Sequence, residues 1–293
     1  MRLISVRSSA GERVGVAVED RWAAIEDLLR DGPRTILDLL EDADVALPAL
    51  GAALAGADVA RWRSISSAEL LAPVPRPGKV VAIGRNYREH AAEEGVDPPT
   101  APLIFAKWPS SVIGHGAEIR WDPGLTGQVD YEAELAVVVG RRARNVGIEE
   151  ALDHVLGYTC LDDVSARDLQ FGDGQWVRGK SLDTFCPMGP WIVTTDEIVD
   201  PQRLAIRCLV DGEILQDANT SQMYFTVAEV VSYCSRSFTL EPGDVIATGT
   251  PSGVGAFRKP PRFLRDGERV TVEIEGIGAL ENVCRMAPVE AVA

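Results

Sequence analysis

The chain has 293 residues, 46% of them hydrophobic, and carries 44 Asp and Glu against 29 Lys and Arg, a formal net charge of −15. That surplus repels phosphate backbones, and no Lys/Arg cluster offers a local basic groove, so nucleic acid is excluded as a partner. No apolar run reaches the roughly 18 residues of a membrane span, and the first twenty residues lack a signal peptide's apolar core. The five scattered cysteines, without a Cys-x-x-Cys, suit a reducing compartment, so the expected location is the cytoplasm.

Residues 1–72 read as a small leading domain: strands at Leu3–Val6 and Val14–Val18, then helical patterns over Ala23–Leu29, Thr35–Glu41 and Leu47–Leu54. Pro73, Pro75 and Pro77 punctuate a connector, because each proline fixes φ and biases its predecessor to extended structure. The domain boundary is placed there, with a second domain over 73–293.

That second domain opens with a short apolar strand, Lys79–Ile83, followed by a helical segment carrying His90 and Glu93 at i and i+3. On one helix face the carboxylate can accept the imidazole N–H and raise the basicity of the other nitrogen, which is how a general base is built. A solvated helix face with a chance His/Glu pair has the same spacing. Leu103–Ala106 is the next strand. His115 sits between glycines and receives no role.

Asp130–Gly140 is the anomaly of the chain. Its period-2 pattern puts Glu132, Glu134, Ala136 and Val138 on one face and Tyr131, Ala133, Leu135, Val137 and Val139 on the other. Two carboxylates about 6.5–7 Å apart on a strand entering an apolar region repel each other and lose solvation, and a cation between them would remove both penalties. An edge strand with a wet outer face is the alternative. Only three histidines are present (His90, His115, His154), so metal work falls to carboxylates, whose hard oxygens favour Mg²⁺, Mn²⁺ or Ca²⁺ over Zn²⁺ or Cu²⁺.

Ile148–Leu156 has helical spacing. A helical turn starting at Asp163 would bring Asp163, Arg167 and Gln170 onto one face, where Arg167 suits bidentate grip of a substrate carboxylate and Gln170 adds a hydrogen bond. The same spacing also describes an N-cap with its i+4 salt bridge. Gln175–Phe185 reads as a polar loop in which Lys180 is either a fixed cation or a surface lysine. Leu204–Val210 and Glu213–Gln216 form a hairpin at Asp211-Gly212, and Val227–Tyr233 is a helix. The glycine-bracketed loop Gly249–Gly255 lets backbone N–H groups approach an anion, with the Thr250 hydroxyl as a further donor. Val270–Ile274 and Leu280–Cys284 close the chain as a hairpin. Strands thus dominate the second domain, an α+β, β-rich, mixed-sheet or barrel-like architecture.

From Lys79 to Arg285 the order of these words resembles the fumarylacetoacetate hydrolase family. The matching words are Ile83-Gly84-Arg85-Asn86-Tyr87 with His90 and Glu93, Asp130–Leu135, Gly157-Tyr158-Thr159 with Asp163–Gln170, Gly179–Asp183, Gln216 with Asn219-Thr220-Ser221, and Pro242-Gly243-Asp244 through Gly255. The resemblance implies a mixed β-roll catalytic domain in a homodimer. It also implies Mg²⁺ or Mn²⁺ on Glu132, Glu134 and Asp163, with Ca²⁺ a third option. His90 and Glu93 would activate water, Lys180 would stabilise developing negative charge, and Arg167, Gln170 and Thr250 would hold a small keto-acid substrate. One departure is visible: the family usually has Asn before the metal-binding Asp, and here it is Asp162. The implied reaction is metal-dependent cleavage of a C–C bond in an acylpyruvate or related 2,4-diketo acid. A decarboxylase or keto–enol isomerase of a 2-oxo or 2-hydroxy-dienoic diacid in aromatic-acid catabolism is the alternative on the same scaffold, and a catalytically silent keto-acid binder the alternative of another class.

Overall fold

The computed structural model describes residues 1–9 and 11–288. A twelve-stranded mixed sheet packs against a five-stranded one, and the acidic strand, Ala133–Val139, lies inside the larger sheet. It pairs antiparallel with Val155–Asp162 on one side and with Val245–Ala247 on the other. Outward from these the order runs through Cys186–Thr194 to Arg2–Ser8 and Gly11–Val18 in one direction, and through Val80–Gly84 to Leu103–Lys107 in the other. Leu3 pairs with Ile192, so strands of the first twenty residues extend the same sheet. This is the β-rich α+β fold expected from the pattern of elements.

Alternation along the acidic strand divides the core in two. Tyr131, Leu135, Val137 and Val139 enter the layer between the sheets with Ile206, Cys208, Val270 and Val272 of the smaller sheet. Ala136 and Val138 face the other way, onto Leu3, Val16, Ile36, Leu39 and Leu50. A strand buried on both faces has no wet edge, and each fully buried Val or Leu contributes about 1.5–3 kcal/mol to holding its register. Glu132 and Glu134 share the face of Ala136 and Val138, where the second core gives way to charge. Among the described residues no helix is long and apolar enough to cross a membrane, and the five cysteines are free and buried.

Three local expectations are corrected. No helix starts at Asp163: Val155–Asp162 is strand, Ser165–Ala166 is strand again, and the helix spans Arg167–Asp173. Pairing of Asp130 with Ser165 and of Val129 with Ala166 holds this stretch extended, as does the bond from the Asp163 N–H to the Glu132 carbonyl at 2.9 Å. Over 148–156 only Ala151–His154 is helical, a single turn, because Val155 is taken into the sheet opposite Val139. The polar loop at 175–185 contains a short helix, Val177–Lys180.

Candidate active site

The strand registers place the acidic residues. Ala133 pairs with Asp162 and Glu134 with Leu161, so Asp163, one residue past the strand end, lies beside Glu132 and Glu134. Ligand oxygens of Glu132, Glu134 and Asp163 lie within 4.8 Å of one another, and all three residues are buried. On the other side Ala136 pairs with Ala247, which carries the following loop over the cluster, and the Gly249 N–H donates to Glu134 Oε2 at 2.7 Å.

Two buried lysines complete the floor. Lys180 Nζ donates to Glu132 Oε2 and to Asp163 Oδ2, each at 2.8 Å. Lys107 Nζ donates to Asp163 Oδ1 at 2.6 Å and also to the Lys180 carbonyl. Lys180 reaches this position because the Val177–Lys180 turn lies directly on the Arg167–Asp173 helix. A Cβ on Gly179 would stand 2.6 Å from Gln170 N, so only glycine permits that approach.

Arg167 and Gln170, on the first turn of that helix, are both buried at the site. Arg167 Nε donates to Asp130 Oδ2 at 2.8 Å, its Nη1 to Gln170 Oε1 at 3.0 Å, and its Nη2 lies 2.7 Å from Glu132 Oε1. The guanidinium therefore serves protein carboxylates, and a substrate carboxylate would have to share it. Asp130, to which the sequence assigned no role, also accepts from the Gly255 and Ala256 N–H groups at 2.7 and 2.9 Å, tying the glycine loop to the acidic strand. Thr250 stands one bond away: Gln216 Nε2 donates to its Oγ1 at 2.8 Å, while Gln216 Oε1 accepts from Ala133 N–H. The threonine hydroxyl keeps its own proton to give.

His90 comes from the Arg88–Glu94 helix, which covers the floor. Its Nδ1 lies 3.7 Å from Glu93 Oε2 and its Nε2 3.2 Å from Glu94 Oε1. Burial would push the imidazole down, but Glu93, Glu94 and the charge of Glu132 overcome it and hold it at about 9. The helix is latched to the glycine loop by Gly253 N–H donating to Glu93 Oε2 at 2.9 Å and Ser252 Oγ donating to Glu89 at 3.2 Å.

The electrostatics of the three acids differ. Burial disfavours the Glu132 carboxylate, yet Lys180 and Arg167 win and hold it down at about 2. Glu134 has no cation of its own at bonding distance among the described residues, and burial together with the charges of Asp163 and Glu132 pushes it well above the carboxylate range. A divalent cation would supply the missing charge there, and three hard oxygen donors suit one. The cluster can hold a divalent metal. Asp162 is raised to about 8, first by burial and then by Asp163; its Oδ1 accepts from Glu132 N–H at 2.9 Å while its Oδ2 has no partner. A protonated carboxyl here presents the neutral surface of the asparagine usual at this position.

All nine residues singled out from the sequence thus lie on the floor, the cover or the glycine loop. Sequence reasoning gave no role to Asp130, Lys107 or Glu94. Glu94 alone had a signal, its i+4 spacing from His90.

Residues 79–285 match the model of the fumarylacetoacetate (FAA) hydrolase C-terminal domain. The mitochondrial oxaloacetate tautomerase fahd2 of Xenopus laevis is 43% identical over 288 residues, which cover 96% of this chain and 89% of that protein. Oxaloacetate tautomerase YisK of Bacillus subtilis is 47% identical over 222 residues, 75% of this chain and 74% of its own. The solved structure of fumarylacetoacetate hydrolase from Exiguobacterium antarcticum aligns with a TM-score of 0.86 at 36% identity, covering 98% of this chain and 100% of that one. The chain is an enzyme of the fumarylacetoacetate hydrolase family.

Proposed function

We propose that the enzyme is a divalent-metal-dependent tautomerase that interconverts the enol and keto forms of oxaloacetate or a similarly short 2-oxo diacid. The observation that carries this reading is the environment of His90. Both ring nitrogens face carboxylates, at 3.7 and 3.2 Å, and the imidazole is held charged at neutral pH. Such a group exchanges protons with a substrate carbon more readily than it strips one from water, because a base must first have a free nitrogen. The family relatives that act on oxaloacetate support the same assignment.

Glu132, Glu134 and Asp163 would hold Mg²⁺ or Mn²⁺, which when bound polarises the C1 carboxylate and C2 oxygen of a 2-oxo acid. The remaining steps belong to the chain. Thr250 and Gln170 donate to the carboxylate end, and Lys180 sets a fixed positive charge beside the C2 oxygen. In ketonisation His90 gives its proton to C3, the C2=C3 double bond becomes C2=O, and the enol O–H proton leaves to the carboxylates beside His90, which return it to the ring. Protons balance and no water is consumed. Burial of these side chains keeps the exchange away from bulk solvent.

The test is to follow the ultraviolet absorbance of enol-oxaloacetate with Mg²⁺ and with EDTA, identifying products by NMR. Accelerated loss of the enol band only with metal, giving keto-oxaloacetate alone, is the expected result. Pyruvate and CO₂ as the main products, or cleavage of acetylpyruvate at a higher kcat/KM, would replace this reading with decarboxylation or C–C hydrolysis.

A further inference from the structure

Two phenylalanines extend the site toward solvent on the side of His90. The Phe257 ring lies 6.2 Å from the His90 ring between centroids, tilted by 56°, and the Phe171 ring lies 6.4 Å from that of Phe257, tilted by 49°. Both separations fall in the range in which aromatic groups attract. His90 is buried, Phe257 is half-buried and Phe171 is 55% exposed, so the row climbs from the reacting group to the surface. A lone exposed phenylalanine is ordinary on a protein surface; one that ends such a row has a different setting.

The same carboxylate sets both rings. Phe171 follows Arg167 by four positions and Gln170 by one on the Arg167–Asp173 helix, and the i, i+3, i+4 spacing puts all three on one face. Phe257 closes the Gly255–Phe257 turn, whose Gly255 and Ala256 N–H groups donate to Asp130 at 2.7 and 2.9 Å. Asp130 also accepts from Arg167 Nε at 2.8 Å, so the turn and the helix are fixed relative to each other and to the floor. The cations in this region are already committed: Lys180 to Glu132 and Asp163, Arg167 to Asp130 and Glu132, and Arg258, next to Phe257, to the Gly253 and Leu215 carbonyls. A second carboxylate beside the two rings keeps its water and gains nothing from them, whereas a flat apolar group is desolvated against them.

We infer that Phe171 and Phe257 form a subsite for a flat apolar substituent on C3 of the 2-oxo acid, which extends the substrates from short diacids to arylpyruvates. The inference rests on the tautomerase reading, in which C3 receives the His90 proton and its substituent therefore lies beside that ring. The proton balance is unchanged: C3 gains one proton and the enol oxygen loses one.

The experiment is a calorimetric titration of the Mg²⁺-loaded protein with phenylpyruvate and with pyruvate, which share the carboxylate and keto group and differ only in the phenyl ring. The wild type should bind phenylpyruvate about tenfold more tightly, and Phe171→Ala and Phe257→Ala should each cut that ratio by about threefold or more. Phe257→Leu stands in, with a smaller drop, if Phe257→Ala folds poorly. Equal affinities in the wild type, or a ratio unchanged by substitution at both positions, overturn the subsite. In a second arm the wild-type enzyme should accelerate loss of the enol absorbance of phenylpyruvate; no acceleration where enol-oxaloacetate is turned over removes arylpyruvates as substrates. If neither enol is accelerated, the tautomerase reading falls, and the affinity ratio still decides the subsite.

Discussion

Asp163 and His90 are both buried, yet their charged neighbours come from very different distances along the chain. Asp163 is held by Lys107, 56 residues away, and by Lys180, 17 away, in positions set by strand register and by one helix packed on another. His90 is held by residues three and four further along its own helix. The floor is therefore inseparable from the fold, whereas the cover is a local device attached by a few polar bonds. Substitutions in the floor should cost stability or metal affinity, according to whether they remove a cation or a carboxylate, and those in the cover should cost rate.

The largest effect is expected at Lys107. Lys107→Met removes one of the two lysines on the buried Asp163 carboxylate and takes the donor from the Val164 and Lys180 carbonyls, so the protein should lose about 3 kcal/mol in urea unfolding; a loss below about 1 kcal/mol would show that the floor is not structural. His90→Ala should lower kcat by about 10²–10⁴-fold with a thermal melt close to wild type. A comparable loss of stability would erase the distinction between floor and cover. Glu134→Gln removes a like charge that burial already disfavours, so the metal-free melt should hold or rise. The rise in melting temperature on adding Mg²⁺ should largely vanish, since that rise measures metal binding to the native state.

The finest effect is a pH slope. Asp162 is raised from the ordinary value to about 8 in the folded protein, and an Asp in the unfolded chain titrates near about 3.9. The folded state holds a proton that the unfolded chain has released, so its contribution to stability is complete below about pH 4 and lost as pH rises through about 8. In metal-free protein, Asp162→Asn should flatten that decline; parallel stability–pH curves would mean that Asp162 is ionised throughout.

The alternation of the acidic strand was legible because a period of two is a local property: Glu132 and Glu134 on one face, Tyr131, Leu135, Val137 and Val139 on the other, follow from spacing alone. The turn after Asp163 was not, because its extended form comes from pairing Ser165 with Asp130, 35 positions earlier, and no local preference announces that. Lys107, at the end of a short strand, is indistinguishable in sequence from a lysine blunting a sheet edge. Ordered motifs carried the assignment to the family; the cations that neutralise the floor required the fold.

The central claim is that His90 hands a proton to one face of the enol inside a closed, carboxylate-lined site. Ketonisation in D₂O with Mg²⁺, with the product trapped at once by malate dehydrogenase, tests it directly through the configuration at C3 of the malate. A single C3-deuterated stereoisomer from the wild-type enzyme, with stereochemical purity lost in His90→Ala, is the predicted result. Equal amounts of both stereoisomers from the wild type would place proton delivery in bulk solvent and contradict the account.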